Sequence, residues 1–184
     1  DKLGLVCILH EKPFEGLNGS GKHSNWSLTT KNGENLFKPG KTPETNVIFL
    51  TFLSAVIKAT DEYQDLIRIS VSSAGNDHRL GANEAPPAIV SMYLGDDIEE
   101  LLEKISTGKS YHSHEHNLMD LGVKQIPKFK QDTTDRNRTS PLAFTGNKFE
   151  FRMLGSSQSI AGPNIALNTI MAEELKQFAD ELEQ

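Results

Sequence analysis

The clearest structural signal in this sequence is the stretch Lys148-Phe149-Glu150-Phe151-Arg152-Met153, in which charged and apolar residues alternate. Successive side chains of a β-strand point to opposite faces of the sheet, so the pattern predicts a half-buried strand with one apolar and one charged face. Glu150 and Arg152 would then share the charged face. A carboxylate and an arginine on one wall suit a metal–phosphate site, although they also suit a solvated face whose charges neutralise each other.

Helices are predicted on both sides of this strand. Pro163 is typical of a helix start and opens a long amphipathic helix at about 162–183. Upstream, Thr42-Pro43-Glu44 combines a capping residue, a proline and a first-turn acid, and predicts a helix near 43–60. Two shorter helices are predicted at 62–69 and 96–105.

The N-terminal part of the chain reads as strands around a glycine-rich loop. Leu3–Leu9 is predicted to be a buried strand because it is almost entirely apolar. Gly16–Gly21 contains three glycines and predicts a loop. Asn25–Thr30 has the composition of a strand, and the turn signal Asn32-Gly33 follows it.

The secondary structure of two further segments is less clearly indicated by the sequence. Ala88–Leu94 is too short to distinguish a strand from a buried helix, and the polar segment 107–141 predicts a long loop. Because strands and helices occur without regular βαβ alternation, the sequence predicts an α+β fold with antiparallel strands and flanking helices. We expect residues 1–184 to form one unit.

Composition excludes several classes of protein. The formal net charge is −6, so nothing recommends the chain for nucleic acid or an anionic membrane. The longest nearly apolar run, Val47–Ile57, is too short to span a bilayer. A lone cysteine, Cys7, and the lack of a signal-peptide pattern lead us to expect a cytoplasmic protein. The start at Asp1, directly before an apolar stretch, suggests part of a longer chain.

The glycine-rich segment first suggests a phosphate-binding P-loop. Gly16, Gly21 and Lys22 have the required spacing, but His23 stands where that motif needs a hydroxyl residue. The following residues also predict a strand rather than a helix, so the P-loop interpretation fails. Asn18–Ser27 still offers backbone amides, an imidazole and a hydroxyl that suit an anion and a divalent metal. The alternative is a surface hairpin with an incidental histidine.

Two further segments carry charged or metal-binding residue types. Arg79–Pro87 contains one arginine, Arg79, whose guanidinium suits recognition of a carboxylate, and one acid, Glu84. The alternative is an ordinary surface ion pair. The histidines at positions 112, 114 and 116 alternate as metal ligands on a strand would. They lie in a polar segment without nearby cysteines, so an exposed loop is the favoured interpretation.

Together, four motifs in chain order resemble the glutamine synthetases. They are Lys12-Pro13 with Asn18-Gly19-Ser20-Gly21-Lys22-His23 and Ser27, then Arg79-Leu80 with Glu84-Ala85-Pro86, then Asn137-Arg138-Thr139, and finally Phe149-Glu150-Phe151-Arg152. The segments Asn18–Ser27 and Asn137–Arg152 are most similar to the type III branch of that family. The resemblance implies the catalytic-domain fold of the family, of which this chain would be the later part.

The resemblance also implies a reaction. Such enzymes use ATP to phosphorylate glutamate, and ammonia then displaces phosphate from the γ-glutamyl phosphate. It implies two divalent ions, Mg²⁺ or Mn²⁺, with His23 and Glu150 as ligands of the ion nearest the phosphates. Asn18, Gly19 and Arg79 would bind glutamate.

For the remaining positions the resemblance implies nucleotide-binding and catalytic roles. The nucleotide would contact Lys12, Asn25, Ser27 and Arg138. Catalytic roles would fall to Glu84, Arg138 and Arg152. The substrates would be glutamate, ammonium and ATP, in a homo-oligomer of two stacked hexamers. We expect the isolated chain to be inactive, because upstream strands with further metal ligands are not in it.

The sequence departs from the type I pattern of the family at several points. Asn25 stands where that branch has a second histidine, and Ala143-Phe144 occupies the place of a further arginine. The Arg79–Glu84 loop is one residue shorter than in that branch.

Two other classes of function stay open for this sequence. One is another γ-glutamyl ligase or a guanidino phosphotransferase on a related fold, and the other is a non-catalytic interaction domain.

Overall fold

The computed structural model describes residues 2–7, 14, 21–72, 90–111, 118–119, 129–130 and 140–183. The strands in these ranges are β1 (Gly21–Trp26), β2 (Met92–Tyr93), β3 (Leu118–Met119), β4 (Phe129–Lys130), β5 (Leu142–Phe144) and β6 (Phe149–Gly155). The α-helices are α1 (Val47–Glu62), α2 (Gln64–Ser70), α3 (Asp96–Ser106) and α4 (Ala161–Leu182). The predicted α+β class is therefore confirmed.

The main sheet has four strands in the order β1-β6-β5-β2. β6 pairs antiparallel with both β1 and β5, whereas β2 pairs parallel with β5. The expected antiparallel pairing is thus present on both sides of β6, and the β2–β5 edge adds one parallel pair. The long connection between β2 and β5, which includes α3, allows the parallel crossover. β3 and β4 form a separate antiparallel pair inside the segment that we expected to be a loop.

The predicted strand at 148–153 is confirmed as β6. Phe149, Phe151 and Met153 are buried, whereas Glu150 and Arg152 on the opposite face are partly exposed. This alternation is the period-2 pattern of a strand with one face against a core. The charged face is therefore available for a site.

β1 lies upstream of the predicted strand Asn25–Thr30 and overlaps it only at its end. Its first residue, Gly21, pairs with Gly155 of β6, so the glycine there belongs to the sheet and not to the predicted loop. The expected turn is confirmed: a bridge joins Thr29 to Asn35, and Gly33 adopts a positive φ of 83° between them.

The helix expected near 43–60 is present but divided at its start. Pro43–Thr45 form one 3₁₀ turn, and α1 begins only at Val47. Asn46 caps α1, because its side-chain oxygen accepts a hydrogen bond from the Phe49 amide at 3.1 Å. The cap is thus Asn46 and not Thr42.

The other helices lie close to their predicted positions. α2, α3 and α4 begin within two residues of the expected starts. β2 shows that the ambiguous segment Ala88–Leu94 contains a strand. No helix in the described ranges is both long and apolar enough to cross a membrane.

The predicted strand Leu3–Leu9 is wrong over its described part. Residues 2–7 do not join a sheet, and Leu3 and Val6 are 85% and 81% exposed. An apolar run becomes a buried strand only where neighbouring strands cover it, and the described sheet offers none to this segment.

The core fills the space between the sheet and the helices. A chain of aromatic contacts runs from Trp26 through Phe37, Phe149 and Phe144 to Phe49 of α1, with ring centroids 5.2–6.0 Å apart. Such tilted and edge-to-face pairs stabilise a core beyond their burial alone. They fix β1, β5 and β6 against α1, which leaves the other face of the sheet for polar groups.

Candidate functional site

The candidate site is built on β1 and β6. His23 Nδ1 lies 2.7 Å from Glu150 Oε1, although the two residues are 127 positions apart in the chain. The His23 side chain is 46% exposed and that of Glu150 is 22% exposed. The antiparallel pairing of β1 with β6 brings these two side chains to the same face of the sheet.

Arg152 binds the other oxygen of the same carboxylate. Its Nε and Nη2 atoms donate to Glu150 Oε2 at 3.1 and 2.9 Å. The Arg152 side chain is only 9% exposed, so this contact is shielded from water. Glu150 is therefore held from both sides, and its orientation is fixed before any ligand binds.

A β-bulge lies at the centre of the site. Lys22 pairs with Leu154 and Ser24 with Phe151, so His23 faces two residues of β6 instead of one. Bulges re-aim side chains and often lie beside active sites. Beyond the bulge, Asn25 pairs directly with Glu150.

The electrostatics favour an ionised Glu150. Burial raises the pKa of this carboxyl, but the hydrogen bonds from Arg152 and His23, together with their charges, outweigh burial and lower the pKa below its usual range. Glu150 is therefore a carboxylate at neutral pH, which is the form that ligates a metal.

The two donors fit one divalent cation. The imidazole nitrogen and the carboxylate oxygen lie 2.7 Å apart and share a hydrogen bond, so an ion of the size of Mg²⁺ or Mn²⁺ that replaces the shared proton can contact both atoms. The described residues include no group of three or more metal-ligating side chains. These residues thus supply part of a coordination shell that water, phosphate or further ligands would complete.

Ser27 directly follows β1 and lies outside the carboxylate cluster. Its hydroxyl donates to the Asn147 carbonyl at 3.2 Å, and Asn35 donates to the same oxygen at 2.9 Å. These bonds hold the β5–β6 turn against the end of β1. Of the two expected nucleotide-binding residues in the described ranges, Asn25 faces the cluster and Ser27 supports the adjoining turn; their nucleotide roles stay predictions.

Several expected site residues lie outside the described residues. They are Lys12, Asn18, Gly19, Arg79, Glu84 and Arg138, together with the histidines at positions 112, 114 and 116. Their roles stay predictions from the resemblance.

The contacts between α4 and β1 were not predicted from the sequence. Asn164 and Asn168 lie one helical turn apart and accept hydrogen bonds from Ser24 and Trp26. The available signal was a pair of asparagines at positions i and i+4 beside the apolar stripe of the helix. This pair predicts contacts with a strand only once the helix is known to pack against one.

Comparison with known proteins decides the family. A model of the glutamine synthetase catalytic domain matches residues 1–116. This chain belongs to the glutamine synthetase family. It is 55% identical over 181 residues to the type-3 glutamine synthetase of Dictyostelium discoideum, covering 98% of this chain and 25% of that protein.

Two bacterial members of the family are similarly close. The glutamine synthetase of Bacteroides fragilis is 52% identical over 177 residues, which cover 95% of this chain and 24% of that protein. That of Butyrivibrio fibrisolvens is 48% identical over 198 residues, covering 99% and 28%. The similarity therefore continues past residue 116 into β5, β6 and α4. The chain spans about a quarter of the length of these relatives.

Proposed function

We propose that the full-length protein is a glutamate–ammonia ligase of the type III branch. It would use ATP to phosphorylate the side-chain carboxylate of glutamate, and ammonia would then displace phosphate to give glutamine. The observation that carries this proposal is the His23–Glu150 pair with Arg152 behind it, in a chain of the glutamine synthetase family.

The metal would be Mg²⁺ or Mn²⁺, held on this chain by His23 and Glu150. When bound, such an ion neutralises charge on the phosphates during phosphoryl transfer. Arg152 keeps Glu150 ionised and turns Oε1 toward His23, which supports a shared ion. The resemblance adds a catalytic role for Arg152 at the transferring phosphoryl group.

The other roles are proposed from the resemblance alone. Glutamate would bind to Asn18, Gly19 and Arg79. Glu84 would close over the intermediate, and Arg138 would contact both nucleotide and phosphoryl group. Lys12, Asn25 and Ser27 would line the nucleotide site.

We also propose a cytoplasmic homo-oligomer, a dodecamer of two stacked hexamers, for the full-length protein. The isolated chain should be inactive, because catalysis by positioning needs the whole set of groups, and this chain spans about a quarter of its relatives.

The test is phosphate release from ATP by the full-length protein. We expect release with glutamate and ammonium, and none with a guanidino substrate or with glutamate and an alternative amine. His23→Ala and Glu150→Gln should each lower the rate by more than about 100-fold, since even partners of metal ligands are worth 10–100-fold. Glu103→Gln, on the exposed surface of α3, is the matched control and should leave the rate unchanged.

The competing functions predict other results. A preference for the guanidino substrate or the alternative amine would replace glutamine synthesis with one of those reactions. No ATP turnover with any of these substrates would favour a non-catalytic domain. Full activity of Glu150→Gln would overturn the proposed metal site.

A further inference from the structure

Three side chains of β1 point away from the site and bind the β6–α4 turn and α4. Lys22 donates to the Gln158 carbonyl, in the turn between β6 and α4, at 2.5 Å. Ser24 donates to Asn164 Oδ1 at 3.2 Å, and Trp26 Nε1 donates to Asn168 Oδ1 at 2.9 Å. β1 is thus held on one side by β6 and underneath by α4.

The geometry of strand and helix explains why these contacts repeat. Two residues along a strand advance by about 6.6 Å, and four residues along a helix advance by about 6 Å. Ser24 and Trp26 are two residues apart, and Asn164 and Asn168 are four apart. The two rows of side chains therefore match, and they fix the position of β1 along α4.

The hydrogen bond between Ser24 and Asn164 lies beside the bulge, where the pairing of β1 with β6 is interrupted. The bulge interrupts the β1–β6 pairing at His23, between the pairs Lys22–Leu154 and Ser24–Phe151. The two residues beside His23 are each held from the α4 side: Lys22 donates to the Gln158 carbonyl, and Ser24 donates to Asn164 Oδ1. By contrast, Trp26 pairs regularly with Phe149 and also packs in the aromatic core.

We propose that Asn164 is a positioning residue of the metal site. By holding Ser24 beside the bulge, it sets the backbone on which His23 turns Nδ1 toward Glu150. Asn168 makes a similar bond at a place that β6 and the core already fix, so it contributes to stability and not to the site. This inference rests on the proposed role of His23 and Glu150 as metal ligands.

The test is calorimetric titration of the full-length protein with Mn²⁺, without substrates, beside thermal unfolding. Asn164→Ala should weaken by about 10-fold the Mn²⁺ binding that Glu150→Gln abolishes, the size seen for groups that orient metal ligands. Asn168→Ala should change that affinity less than about 2-fold, although it lowers the melting temperature. Asn164→Asp, which keeps the acceptor oxygen, should restore binding.

Ser24→Ala provides a second route to the same result if Asn164→Ala folds poorly. It removes the same bond from the other side, so it should weaken Mn²⁺ binding similarly. Combining Ser24→Ala with Asn164→Ala should weaken Mn²⁺ binding no more than either substitution alone, because both remove the same hydrogen bond. Equal Mn²⁺ affinity in Asn164→Ala, Asn168→Ala and the parent would overturn the positioning role while Glu150→Gln still loses binding. Unchanged binding in Glu150→Gln would overturn the metal assignment and the inference together.

Discussion

Glu150 is the residue on which the candidate site depends. Its two carboxylate oxygens have different partners: His23 is at Oε1, and Arg152 occupies Oε2 through two nitrogen atoms. Arg152 therefore fixes the rotamer and the charge of the carboxylate. Oε1 then lies beside an imidazole that can share a cation with it.

The first prediction concerns the pH dependence of Glu150→Gln. Because the folded state lowers the pKa of Glu150, its carboxylate stabilises the protein above the unfolded-state pKa of about 4.3, and this stabilisation disappears as the pH falls through the lower folded-state pKa. Glu150→Gln should lower the free energy of unfolding at pH 7 by about 1 kcal/mol. The difference in the free energy of unfolding between this variant and the parent chain should become smaller below about pH 4.

Urea denaturation of the 184-residue chain, followed by the fluorescence of its single tryptophan, Trp26, measures this effect. Glu103→Gln should show no such difference at any pH. If the free energy of unfolding of Glu150→Gln differed from that of the parent chain by the same amount from pH 7 to pH 3, the lowered pKa of Glu150 would be contradicted.

At the scale of elements, α1 is held at its start and again near its C-terminal end. Asn46 caps the helix, and its Nδ2 atom also donates to the Lys38 and Pro39 carbonyls at 3.1 and 3.0 Å. Further along, Lys58 of α1 lies 2.6 Å from Glu174 of α4, whose side chain is fully buried. These contacts tie the preceding loop and α4 to one helix.

The second prediction compares two capping candidates. Asn46→Ala removes the cap and both loop contacts, so it should lower the free energy of unfolding by about 1–2 kcal/mol. Thr42→Ala should cost less, because the Thr42 side chain makes no capping bond. Urea denaturation measures both variants, and a larger cost for Thr42→Ala would contradict the observed helix start.

The third prediction concerns the Lys58–Glu174 pair. Lys58→Met should destabilise the chain, because it leaves the buried Glu174 carboxylate without a cation, and Glu174 Oε1 has no hydrogen-bond partner within the described residues. Adding Glu174→Leu should recover most of the loss, since an apolar pair avoids the desolvation of two charges.

Urea denaturation at pH 7 of the single and double variants measures this coupling. Glu62→Gln is the control: its carboxylate lies 3.7 Å from the same Lys58 nitrogen but is 48% exposed, so a small effect is expected. If the double variant were no more stable than Lys58→Met, the cost would not come from the buried carboxylate.

At the scale of the whole molecule, apolar surface is left uncovered. β1 and β2 are the outer strands of the four-stranded sheet, and Leu3, Val6 and Leu182 are each more than 80% exposed. The relatives are about four times longer than this chain. Exposed strand edges and apolar side chains favour association with other protein surfaces.

The fourth prediction is that the isolated 184-residue chain self-associates. Light scattering should show a mass that increases with concentration. A variant in which both Leu3 and Val6 are replaced by serine should associate less. A control variant in which the exposed polar residues Lys31 and Glu34 are replaced by serine should associate as the parent chain does. A monodisperse monomer across the concentration range would contradict the prediction.

Much of the architecture and part of the site followed from the sequence itself. The alternation at 148–153 predicted β6 and placed Glu150 beside Arg152 on one face, because strand geometry is local. Helix positions followed from proline, capping residues and apolar spacing for the same reason. The motif order from Lys12 to Arg152 identified the family, although the roles of the residues outside the described ranges stay predictions.

Only the tertiary structure decided how distant segments meet. The contact between His23 and Glu150 depends on the pairing of β1 with β6, and the bulge opposite His23 depends on the register of that pairing. The parallel β2–β5 pair, the exposure of Leu3 and the contact of Asn164 with Ser24 likewise depend on partners far along the chain. Local patterns fix the period of each element, whereas register and burial are set by neighbours that no local pattern specifies.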